Sequence, residues 1–291
     1  MPLLQRSAHF LKSLVHSQLR ARGYELRPLP EPPALLDDPR EAFRSQRAGE
    51  TVAFQCPVDH CLMYNGLSFD PTVWHPFVAT LKAYEDGTAL QYDGSPLQAY
   101  YQAWQPEHAR EALIGCPSGP EALTHLPAYT FYVPWLLVRP DERRAMVKRG
   151  IDAFYEGNGL DPDSSFGYLM HGPVSQAFGE LEFDRLVTVY DSLKANGYDR
   201  HHGDIVVSLL QRDDELRFGV EHGNHRVAAM AALGYDTIPA RYVNVRRIDR
   251  AEAPHWPQVR RGFWDVHSAT AYFDHLFDFD QKSWAQALGV N

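Results

Sequence analysis

The clearest periodicity in the chain runs from Phe183 to Asn196, where Leu186, Val187, Tyr190 and Leu193 recur at helical spacing and Gly197 follows as a C-cap. Ile205-Val206-Val207-Ser208-Leu209-Leu210 is then a largely apolar run of strand length, and the polar turn Arg212-Asp213-Asp214-Glu215 returns the chain through Leu216 to Val220. A glycine turn at Gly223 opens a helix whose apolar positions, Val227, Ala228, Ala231 and Ala232, are small enough to let it lie close on a sheet. Leu233-Gly234 closes that helix, and Ile238-Pro239 begins a further strand.

Elsewhere the patterning is sparser. Asp141 to Tyr155 predicts a helix with Pro140 and Asp141 at its start, Met146, Val147, Ile151 and Phe154 on one face, and Gly157-Asn158-Gly159 as its stop. Ser268 to Phe277 predicts a terminal helix bearing Ala269, Tyr272, Phe273 and Leu276. Leu26 to Pro39 is proline-rich and reads as an extended connector. Thr51 to Trp135 offers only short apolar stretches, such as Val52-Ala53-Phe54, Cys61-Leu62-Met63-Tyr64 and Trp74 to Leu81, and then broken helices. The whole predicts an α+β protein in three parts: a mostly helical region over 1–135, a sheet-bearing unit with its leading helix over 136–250, and a helical extension over 251–291.

Composition narrows the function classes. An apolar fraction of 44% and a charged fraction of 22% are those of a folded soluble chain. The net charge of −9 argues against a grip on duplex DNA, which rests on neutralising phosphates. Only Arg241 to Arg250 and Arg260-Arg261 are locally basic, so nucleic acid is not an expected partner. Three cysteines, Cys56, Cys61 and Cys116, make no disulfide framework. Cys56, His60 and Cys61 raise the question of zinc, but His108, Cys116 and His125 complete them irregularly, which favours buried free thiols in a reducing cytoplasm. No apolar run approaches the roughly 20 residues needed to span a bilayer. Over residues 3–19 an apolar stripe of Leu3, Leu4, Phe10, Leu11, Leu14, Val15 and Leu19 is flanked by basic side chains, so a docking helix and a contact with the inner face of a membrane both stay open.

The chemistry concentrates at Gly223-Asn224-His225-Arg226. A strand, a glycine and a helix start present unpaired N–H groups at the positive end of the helix dipole, and two basic-capable side chains share the turn, so an anion such as phosphate is the expected guest. The series of elements around it, with Gly223, His225 and Arg226 in the turn, Leu233-Gly234 at the helix end and Ile238-Pro239 beyond, resembles the ParB/sulfiredoxin superfamily over about residues 165 to 245. The resemblance implies a mixed sheet with helices and a turn that holds the phosphates of ATP, ADP or CTP. Asn224 stands where sulfiredoxins carry their catalytic cysteine, so sulfinic acid reduction is not expected. His222 stands where kinase-like members have Asp before the glycine.

Phosphoryl transfer asks for carboxylates that hold Mg2+ and orient the attacking hydroxyl. Glu221 is the candidate magnesium ligand, on condition that the strand end is irregular, since side chains alternate faces. Glu182 or Glu180, before the helix predicted near Phe183, would take the place of the catalytic base in the superfamily's serine kinases; the alternative is that they only favour a helix N-terminus. His171-Gly172-Pro173-Val174-Ser175 is a turn that could bring His171 and Ser175 to a substrate mouth, with His222 a further candidate there. The leading expectation is a nucleotide-dependent phosphotransferase acting on a small-molecule or glycan hydroxyl. A nucleotide-gated binding module is the second and a ParB-like nuclease the third. The C-terminal extension resembles those of ParB-like proteins encoded among surface-polysaccharide genes, which implies a place in polysaccharide biosynthesis.

Overall fold

The computed structural model describes residues 31–114, 119–161 and 167–290. The expected stripe over 3–19, Cys116 and the loop around Asp163 lie outside these residues.

Six strands form one mixed sheet in the order β1-β2-β6-β4-β5-β3. The hairpin expected from sequence lies within it: β4 (Ile205–Arg212) and β5 (Glu215–His222) pair antiparallel, and β6 (Thr237–Asp249) lies parallel to β4. The region expected to be mostly helical supplies the other three strands. β2 (Val52–Pro57) runs antiparallel to β6, with Phe54 opposite Ala240 and Gln55 opposite Pro239. β1 (Ala34–Leu36) falls in the proline-rich connector and adds to β2 at the sheet edge, where missing N–H donors are tolerated. β3 (Cys61–Leu62) runs parallel to β5 on the opposite edge. The segment over 34–62 is therefore structurally part of the sheet that carries the glycine turn.

Helices cover one face. α1 (Pro39–Arg47) packs on β2, and α2 (Pro76–Glu85), α3 (Pro96–Ala103), α6 (Gln176–Asn196) and α7 (Asn224–Ala232) pack together over the centre. The short α4 (Ala109–Ala112) and α5 (Pro140–Gly157) lie between α3 and α6 in the chain. Even-numbered residues of β5, Leu216, Phe218 and Val220, point into this core with Phe54 and Tyr242, whose rings stack 4.6 Å apart. The opposite face is closed by a second core built on the C-terminal segment, α8 (Pro257–Arg260), α9 (Val266–Asp278) and α10 (Gln281–Leu288). Its largest buried side chains are Trp256, Trp264, Tyr132, Tyr272 and Phe273.

α6 begins seven residues before Phe183 because the Ser175 hydroxyl accepts from the Phe178 amide at 3.2 Å and caps the helix there. Glu180 and Glu182 are consequently inside the helix rather than ahead of it. Among the described residues no helix is long and apolar enough to cross a membrane.

Candidate functional site

Two requirements fix a glycine between β5 and α7. Gly223 has φ +105°, a region that side chains rarely adopt, and a Cβ there would lie 2.6 Å from Ile205 Cδ1. The chain reverses at that point into the first turn of α7, where the Val227 amide donates to the Gly223 carbonyl at 3.0 Å. The amides of Asn224, His225 and Arg226 precede that bond and have no carbonyl one turn back to accept them. Val227, Ala228, Ala229 and Ala231 are buried against the sheet and against α2 and α6, so the helix start is held rigidly beside the strand ends.

The side chains of this turn have distinct partners. His225 Nε2 bonds Glu182 Oε1, a carboxylate on α6 that is wholly buried. The Phe77 ring of α2 lies 5.4 Å from the imidazole and confines it from another side. With the carboxylate accepting, the proton sits on Nε2, and Nδ1 is the nitrogen that can take up or release another. His225 retains 18% of its side-chain surface, whereas Glu182 retains none. Glu182 therefore reaches solvent chemistry only through the imidazole it aligns. Burial, and then the nearby Glu182 charge, push the Tyr101 and Tyr168 hydroxyls up, so neither competes as an acid. Glu182 Oε2 and Asn224 Oδ1 are buried without a hydrogen-bond partner.

Arg226 is turned sideways. Its Nη1 donates to the Gly203 carbonyl and to the Tyr198 hydroxyl at 3.0 Å, and its guanidinium lies 5.8 Å from the centre of the Tyr198 ring. The loop between α6 and β4 is thus tied to the glycine turn. Tyr198 and Gly203 had no signature in the sequence, because a loop carbonyl and a lone tyrosine become partners only through the fold.

The remaining sequence candidates separate. Glu180 is exposed and accepts from Gln176 Nε2 at 2.9 Å, on a different side of α6 from Glu182. Ser175 is occupied as the cap of α6. His171 is buried, its Nδ1 lies 2.8 Å from the Gly172 carbonyl, and burial pulls its basicity below the usual imidazole range. The turn that holds it is packed, since a Cβ on Gly172 would lie 1.8 Å from the Tyr101 carbonyl oxygen. His222 is exposed at the end of β5. Glu221 points to the opposite face of the sheet, into a cavity that also contains Arg143, and burial pushes its carboxyl up.

The end of β5 is irregular, since Val206 pairs with His222 and Val207 with Val220 so that Glu221 is skipped, yet the irregularity leaves Glu221 lining the opposite cavity and does not turn it towards the glycine turn. No three His, Cys, Asp or Glu side chains among the described residues form a group that could hold a metal ion. The residues present at the turn do not fit a resident magnesium. Cys56 and Cys61 are buried free thiols with sulfurs 3.5 Å apart. Burial, with the Cys61 hydrogen bond, pushes the Cys56 thiol well up and keeps it from thiolate chemistry.

No family model, curated protein or solved structure matches the chain.

Proposed function

We propose that the chain is a nucleotide-dependent phosphotransferase with a ParB/sulfiredoxin-like core, acting on a hydroxyl of a small molecule or glycan. The observation that carries this reading is the Glu182–His225 pair at the first turn of α7. The amides of Asn224, His225 and Arg226 supply the anion site for the phosphates of ATP, ADP or CTP. His225, aligned by Glu182, takes the proton of the attacking hydroxyl at Nδ1 as the bond to the transferred phosphorus forms and the bond to the leaving phosphate breaks. General-base help of this kind is worth roughly 10²–10⁴ in rate, and the remainder of phosphoryl transfer rests on positioning and charge. Glu182 changes role relative to the sequence expectation, from base to the residue that orients the base. The core reading draws support from the succession of α6, the β4–β5 hairpin, the glycine turn, α7 and parallel β6.

A second reading, a nucleotide-gated switch without transfer, is favoured by Arg226. Its guanidinium bonds the Gly203 carbonyl and the Tyr198 hydroxyl, so a phosphate that recruits it must release the 198–203 loop.

Calorimetry with ATP, ADP and CTP, with and without Mg2+, tests both readings on wild type, Arg226→Ala and His225→Ala, with phosphate transfer and hydrolysis followed in the same mixtures. Transferase action predicts that His225→Ala binds within a few-fold of wild type and loses turnover by about 10²–10⁴. Binding without turnover in wild type, together with new proteolytic cleavage in the 198–203 loop, selects the switch. Absence of binding to all three nucleotides removes both.

A further inference from the structure

On the sheet face opposite His225 lies a cavity of about 350 Å³, within the range of small-molecule sites. Its floor is the outward side of β4 and β5. Gly219 leaves that floor open, because a side chain there would start 2.8 Å from Ser208 Oγ. Leu62, Leu210 and Tyr272 give apolar walls that are buried. Leu137, Met146 and Val243 line it as well and are 66%, 44% and 41% exposed, which gives the cavity an apolar rim.

The cavity also has a polar part. Glu221 is set into its wall, where burial raises its carboxyl and the Ser208 hydroxyl bond partly offsets that rise. Arg143 enters from α5, held by Nε to the Thr130 carbonyl at 3.2 Å and by Nη2 to the Tyr64 hydroxyl at 2.8 Å. The Arg143 charge acts on the Glu221 carboxyl, yet among the described residues no ion pair joins the two. Two opposite charges therefore face one apolar space without contact.

We propose that this cavity binds a neutral, single-headed apolar molecule, a long-chain alcohol in chemical class, whose hydroxyl donates to Glu221 and accepts from Arg143 while its chain fills the apolar walls. A charged head is disfavoured because it would satisfy one of the two side chains and repel the other in a poorly solvated space. A hydroxyl serves both, being donor and acceptor at one atom. This site stands without the nucleotide reading, since it shares no side chain with the turn.

The test uses the full chain, the neutral fluorophore phenylnaphthylamine as a reporter, and displacement by decanol, decanoate and decylamine, which share a chain length and differ in head. Wild type is expected to bind the reporter and to prefer decanol to either charged analogue by about tenfold or more, the scale on which an uncompensated charge acts. Glu221→Gln should move the preference towards decanoate, and Arg143→Met towards decylamine. Leu137→Ser, at an exposed position that folding does not depend on, should weaken all three. Circular dichroism checks that each variant is folded, and Glu221→Gln carries the headgroup test if Arg143→Met is not. Failure of wild type to bind the reporter, equal affinity for the three heads, or a preference that Glu221→Gln leaves unmoved would each overturn the proposal.

Discussion

At the level of single residues, the molecule spends its buried polar groups where they can be sensed. His75 caps α2 through Nδ1, which accepts from the Phe77 amide at 3.2 Å, while its Nε2 is buried without a partner. Burial pulls its pKa down to about 3. The folded protein thus refuses a proton that the unfolded chain accepts near pH 6.5, so stability is full above that pH and is lost as pH falls towards 3. The loss from this group between pH 7 and 4 is on the order of 3 kcal/mol. His171, lowered by burial in the same direction, adds to the slope. Urea midpoints across pH 4 to 7 should fall less steeply for His75→Asn, whose amide can still cap the helix; an unchanged slope would mean that His75 is not held neutral. Glu182 is a contrasting case. Its residue type and neighbourhood were legible, but its role was not, because whether it faces solvent or His225 depends on where α6 starts. Gly223 was legible to the atom, since only glycine satisfies its backbone angle.

Among elements, those with a strong period of their own were found and those defined by distant partners were not. α6, the β4–β5 hairpin, α7 and α9 each bury a regular set of apolar residues, so their pattern survives without knowledge of the fold. β1 and β3 are 3 and 2 residues long, too short for a period, and the six residues of β2, which ends at Pro57, are mostly buried on both faces and so show no alternation. Their strand character comes from the edges they complete. The beginning of α6 was missed for a related reason: Ser175 is a weak cap signal in sequence and a decisive one in geometry. Ser175→Ala should cost about 1 kcal/mol of stability, from loss of the cap, and leave nucleotide affinity unchanged. A selective loss of nucleotide or acceptor binding at unaltered stability would instead return Ser175 to the site.

Taken as a whole, the molecule is a sheet whose two halves come from opposite ends of the sequence, with one face given to the glycine turn and the other to the cavity. A fragment covering 136–250 would bare the β6 edge that β2 occupies and would lose Phe54 from its stack on Tyr242. Expressed alone it should fail to unfold cooperatively and should aggregate, as read by circular dichroism and sedimentation; a soluble fragment with a sharp transition would show the sheet to be divisible. Pro57 pairs with Thr237, a separation of 180 residues obtained as 237 minus 57. At a synthesis rate of about 5–20 residues per second, β2 leaves the ribosome roughly ten to forty seconds before its partner exists. During that wait Val52-Ala53-Phe54 has only the three-residue β1 to pair with, which makes the nascent chain a client for whatever shields apolar segments in the cell.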